Sequence, residues 1–109
     1  MKSFAELGLE ENILAAIKDL KFETPMPVQK EVIPHLLDSK GKDILALAQT
    51  GTGKTAAFGL PIVQKADSDS KNIQFLILSP TRELCLQISD DLAGFSKYKP
   101  GIRIAAVFG

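Results

Sequence analysis

The sequence predicts an α/β fold with a mostly parallel sheet, on three observations. Short, nearly continuous apolar stretches at 44–48, 73–79 and 102–108 have the composition of strands buried on both faces. Amphipathic helical patterns lie between them. A glycine-rich turn, 48–55, joins the first of these strands to the helix that follows. Strand, helix, strand, helix, strand is a βαβαβ unit with right-handed crossovers. Two extra helices precede it.

The first helix is predicted from Leu9, Ile13, Leu14, Ile17 and Leu20, which recur at three- and four-residue spacing. Glu10, Glu11, Asn12, Lys18 and Asp19 fill its other face, over about three turns. The stretch Lys21 to Gln29 breaks it, because Pro25 and Pro27 fix the backbone and remove donors. Pro27 suits the first turn of a second helix, with Val28, Val32, Ile33, Leu36 and Leu37 inward. Pro34 should kink that helix or shorten its hydrogen-bond ladder. A loop, 38–43, leads into the first strand. The helix after the glycine-rich turn should run from Lys54 to about Gln64, with Pro61 awkwardly inside it. Residues 67–72 are a polar turn before the second strand. A last helix carries Leu84, Cys85, Ile88, Leu92 and Phe95, and Lys99-Pro100-Gly101 turns the chain into the third strand.

Composition narrows the classes of function. The chain has 109 residues, with 13 basic and 13 acidic side chains, enough for one small globular unit and no global pull toward nucleic acid. A single cysteine, Cys85, forms no internal disulfide, which fits a reducing cytoplasm. No apolar run is long enough for a membrane span. The opening MKSFAEL does not have the pattern of a secretory signal.

The chemistry concentrates in Ala48-Gln49-Thr50-Gly51-Thr52-Gly53-Lys54-Thr55. Small residues let backbone N–H groups converge on a phosphate chain, and the helix that follows adds its free N-terminal donors. Lys54 can reach the outer phosphates as a point charge, and the Thr55 hydroxyl is placed to ligate Mg²⁺. Ala48 stands where the strict phosphate-loop pattern has glycine, and a small residue still fits there.

With these motifs in order, the chain resembles the N-terminal part of the first RecA-like domain of a DEAD-box ATP-dependent RNA helicase, over essentially all its length. Phe22 to Gln29 resembles the Q motif, with Phe4 as the isolated upstream aromatic. Ala48 to Thr55 matches the family's P-loop, and Pro80-Thr81-Arg82-Glu83-Leu84 its motif Ia. Gly109 resembles the first residue of the family's glycine doublet. The division that follows is 1–42 as the Q-motif region and 43–109 as a truncated phosphate-loop core.

The resemblance implies roles. Gln29 would read the adenine edge, Phe22 would stack on the ring, and Phe4 would brace them. The loop from Ala48 to Thr55 would hold ATP or ADP, with Lys54 and Thr55 as the catalytic pair and Thr55 on the metal. Pro80, Thr81, Arg82 and Gly109 would meet the sugar-phosphate backbone of RNA. Two positions depart from the family's pattern: Lys21 replaces a usual glycine and Met26 a usual threonine. Lys21 would fit if its backbone angle is ordinary, and Met26 gives up a hydroxyl for a soft apolar chain.

No predicted strand after the P-loop ends in the acidic residue that Mg²⁺ chemistry requires. The expectation is therefore a piece of a larger domain, binding nucleotide weakly at best by itself and unwinding nothing. Two other readings stay open: a P-loop helicase acting on DNA, or a fragment without catalysis that self-associates through exposed sheet edges.

Overall fold

The computed structural model describes residues 3–38 and 53–108. Four α-helices follow a single 3-10 turn at Ala5–Leu7: α1, Glu11–Asp19; α2, Pro27–Leu37; α3, Lys54–Lys65; and α4, Arg82–Phe95. All four fall where the periodicity places them. The predicted first strand, 44–48, lies outside the described residues.

The helices pack around one core. Ile13 of α1, Ile33 of α2 and Leu60 of α3 are fully buried, and Ile88, Leu92 and Phe95 of α4 close the cluster. Burial of each large aliphatic side chain contributes about 1.5–3 kcal/mol. Gly59 allows α3 and α4 to approach: a Cβ there would lie 2.9 Å from Leu92 Cδ2 and 3.1 Å from Phe95 Cε2. Both α2 and α3 run through their internal prolines. Pro61 is itself among the most deeply buried residues, so its ring replaces a lost ladder bond with core packing.

Three long polar side chains join helix ends that the backbone leaves unpaired. Lys65 Nζ donates to the Leu36 carbonyl at 2.8 Å, near the end of α2. Lys99 Nζ donates to the carbonyls of Val63 and Gln64 at 3.0 and 2.6 Å, capping α3 with a cation where the helix dipole favours one. The Gln64 amide accepts from Glu10 N–H at 2.8 Å and donates to the Gly8 carbonyl at 3.0 Å, tying the N-terminal turn to α3.

The three-stranded sheet is not confirmed in the described residues. Among the described residues no strand is assigned, and 73–79 and 102–108 carry no regular structure. Ile73, Leu76, Leu78 and Val107 are at least 80% exposed. A strand needs a neighbour to complete its hydrogen bonds, whereas a helix closes its own.

Candidate nucleotide site

Two local devices deliver the predicted base-binding residues. The first ends α1. The Phe22 N–H donates to the Ile17 carbonyl and the Lys21 N–H to the Lys18 carbonyl, both at 2.9 Å. This is a Schellman cap, which requires a left-handed residue at its penultimate position. That residue is Lys21, with φ +64°. The condition of an ordinary backbone angle is therefore not met. Lys21 carries the conformation that glycine adopts without a Cβ penalty, which accounts physically for the glycine usual at this position.

The cap throws the Phe22 ring back onto the core. It stands 6.2 Å from Phe4, tilted by 32°, and 6.2 Å from Phe95, nearly edge-on at 69°. Phe4 is buried, while Phe22 is only half-buried.

The second device starts α2. Met26 is the N-cap and Pro27 the first helical residue. Gln29 Oε1 accepts from the Met26 N–H at 2.8 Å, one arm of a capping box. Met26 offers only a thioether for the other arm, a weak acceptor. Gln29 Nε2 donates to the Gly53 carbonyl at 3.3 Å, across to the start of α3. Gln29 is the buried polar residue of the described chain, 3% exposed. Among the described residues each end of its amide has one partner, short at the oxygen and longer at the nitrogen, which leaves one N–H and one lone pair over.

Gly53 is the N-cap of α3, at φ +84°. A Cβ on it would fall 2.3 Å from Gln29 Nε2, so both its backbone angle and its neighbour demand glycine. With no side chain it cannot cap the helix, and the first-turn N–H groups of α3 lack a cap from that residue. Lys54 and Thr55 are the first two residues of the helix, Lys54 exposed and Thr55 half-buried. Phe22, Gln29, Gly53, Lys54 and Thr55 all line one broad cleft, which continues past Ile77. A helix N-terminus beside a lysine and a hydroxyl suits a phosphate chain with its hard cation. Among the described residues no group of three His, Cys, Asp or Glu could hold a metal by itself. Ala48, Gln49, Thr50, Gly51 and Thr52 lie outside the described residues.

Of the predicted nucleic-acid residues, Pro80, Thr81 and Arg82 stand at the start of α4 and do not line this cleft, which nearby Leu84 does. Thr81 is its N-cap, and its hydroxyl accepts from the Leu84 N–H at 3.1 Å. Ser79 Oγ donates to the Thr81 carbonyl at 3.2 Å. Pro80, Thr81 and Arg82 are all exposed, and the Arg82 guanidinium lies 4.9 Å from the centre of the Phe108 ring. That contact brings motif Ia beside the chain neighbour of Gly109, itself outside the described residues. His35 is exposed on α2, and Cys85 is half-buried on α4.

Sequence reasoning missed the left-handed turn at Lys21 and the bond from Gln29 to Gly53. The first had a readable signal: apolar residues at 17 and 22 flank the end of an amphipathic helix at the Schellman spacing. The second joins residues 24 apart, and no local pattern reports it.

A glycine-capped helix N-terminus thus shares one cleft with a half-buried aromatic and a buried amide. The profile of the DEAD/DEAH box helicase family matches residues 26–109, and the chain belongs to that family. It is 50% identical over 107 residues to the ATP-dependent RNA helicase DeaD of Escherichia coli K12, covering 98% of this chain and 17% of that protein. It is 45% identical over 109 residues to the DEAD-box ATP-dependent RNA helicase CshA of Bacillus cereus, covering 100% of this chain and 20% of that one. The chain thus spans about a fifth or less of these relatives' length. Among solved structures it is similar to S. cerevisiae Dbp5 bound to RNA and ADP BeF3. The TM-score there is 0.86, with 35% identity over 91% of this chain and 25% of that one.

Proposed function

We propose that this chain is the ATP-binding portion of an ATP-dependent RNA helicase, which couples ATP binding and hydrolysis to local opening of RNA duplexes. The observation that carries the proposal is the shared cleft, in which buried Gln29 is bonded to Gly53 beside Phe22 and Lys54. In this reading Phe22 stacks on adenine and the spare N–H and lone pair of Gln29 meet its edge, a pairing that suits an amide. The loop from Ala48 through Gln49, Thr50, Gly51, Thr52 and Gly53 surrounds the phosphates. Lys54 neutralises the outer phosphate oxygens, and Thr55 contributes a ligand to Mg²⁺. Bound Mg²⁺ would supply charge neutralisation at the bond that breaks.

Pro80, Thr81, Arg82 and Gly109 serve single-stranded RNA through its backbone, by shape and charge. The reading includes the three-stranded parallel sheet of 44–48, 73–79 and 102–108, supported by their apolar runs and by the similarity to Dbp5. It also keeps the division into a Q-motif region, 1–42, and a phosphate-loop core, 43–109, and a cytoplasmic location. Among the described residues no helix is long and apolar enough to cross a membrane.

The test is ATP hydrolysis by the intact protein, with single-stranded RNA and with DNA of the same sequence. RNA should stimulate turnover, DNA should not, and Lys54→Ala should abolish it. Equal stimulation by DNA would move the assignment to a DNA-directed helicase. The relatives are named as RNA helicases, so neither that alternative nor a self-associating fragment is favoured. The 109 residues alone are expected to bind nucleotide weakly and to unwind nothing.

A further inference from the structure

We infer that Lys21 is a positioning residue for nucleotide binding, acting through its left-handed backbone rather than its charge; this rests on the ATP site proposed above. Among the described residues Lys21 is the non-glycine residue with positive φ, at +64°. It lies at the joint between α1 and Phe22. Its own N–H and that of Phe22 make the two bonds that close the end of α1. Those bonds set where the chain leaves the helix, and so where the Phe22 ring stands between Phe4 and Phe95. If residue 21 relaxed to negative φ, both bonds would break and Phe22 would swing away from the cleft that it shares with Gln29 and Gly53. The Lys21 side chain is exposed and does not line that cleft. The turn therefore governs stacking on the base, a contribution any base can receive, and leaves the phosphate grip and the choice of base to other residues.

The experiment measures affinity for ADP, GDP and pyrophosphate, each with Mg²⁺, by titration calorimetry on the unaltered chain and on Lys21→Gly, Lys21→Asn and Lys21→Val. Glycine and asparagine accept the left-handed region, and a β-branched residue resists it. Lys21→Val should weaken ADP and GDP alike by about tenfold, the scale of one lost aromatic–base stack, with pyrophosphate unchanged. Lys21→Gly and Lys21→Asn should bind all three at least as tightly as the unaltered chain. Loss of ADP affinity in Lys21→Gly would overturn the inference, because the ammonium would then matter. So would parallel loss of pyrophosphate in a folded Lys21→Val, which would mark a merely structural role.

Hydrogen exchange on the unaltered chain gives an arm that needs no variant. The Lys21 and Phe22 amides should slow on adding ADP and not on adding pyrophosphate. Equal protection by both, or by neither, would contradict the inference. Failure of the ATP-site reading looks different: Lys54→Ala would then leave pyrophosphate affinity unchanged, whatever residue 21 is.

Discussion

At the scale of single residues, the two positions that depart from the family's pattern carry measurable costs. A left-handed Lys21 costs about 1–2 kcal/mol relative to a right-handed conformation. Glycine there gives back part of that gain through about 0.5–1 kcal/mol of extra freedom in the unfolded chain. Lys21→Gly should therefore raise the denaturant midpoint, by about 0.5–1 kcal/mol in stability. Met26→Thr gives the Gln29 N–H a hydroxyl in place of a thioether and completes the capping box. It should stabilise by about 1 kcal/mol in the same assay. Asp19 gives a pH signature. The Lys97 ammonium, bonded at 2.8 Å, and then the Tyr98 hydroxyl hold its carboxyl below the usual 3.8. The folded value is the lower one, so the stabilisation is present above 3.8 and is lost as pH falls through the folded value. The stability gap between the unaltered chain and Asp19→Asn should close in that acid window, and a gap constant with pH would contradict the pairing.

Among the elements, the contact between α3 and α4 is the one most sensitive to a single atom. Alanine at Gly59 would gain about 1 kcal/mol in helix propensity. Its Cβ would also press on Leu92 and Phe95, which are 6% and 3% exposed. Overpacking costs about 1–3 kcal/mol, so Gly59→Ala should destabilise, read as a lower melting temperature. The helices were legible in the sequence because each states its own case. The apolar spacing of Ile13 and Ile17, proline at position 27 and threonine at position 81 are local signals for hydrogen bonds that are also local. The apolar runs at 73–79 and 102–108 state only that they need neighbours. The same run of Phe75, Leu76 and Leu78 is compatible with a buried strand and with the exposed segment observed.

Across the whole molecule, the nucleotide cleft was legible in part. The residue types of the Q motif and the P-loop could be read directly, because Gly53 and Lys54 follow a spacing that phosphate chemistry imposes. The bond between Gln29 and Gly53 could not, since it forms only when α2 and α3 pack together. In the proposed site that bond would make base-reading and phosphate-holding parts of one unit. Gly53→Ala should disturb both, because its Cβ would displace the Gln29 amide. The most direct test of this unit is titration calorimetry of the chain with ADP and Mg²⁺, beside Lys54→Ala and Gln29→Ala. Measurable binding is expected, abolished by Lys54→Ala and weakened about three- to tenfold by Gln29→Ala, the scale of one net hydrogen bond. Binding by the folded chain that is indifferent to Lys54→Ala, or no binding by a demonstrably folded chain, would contradict it.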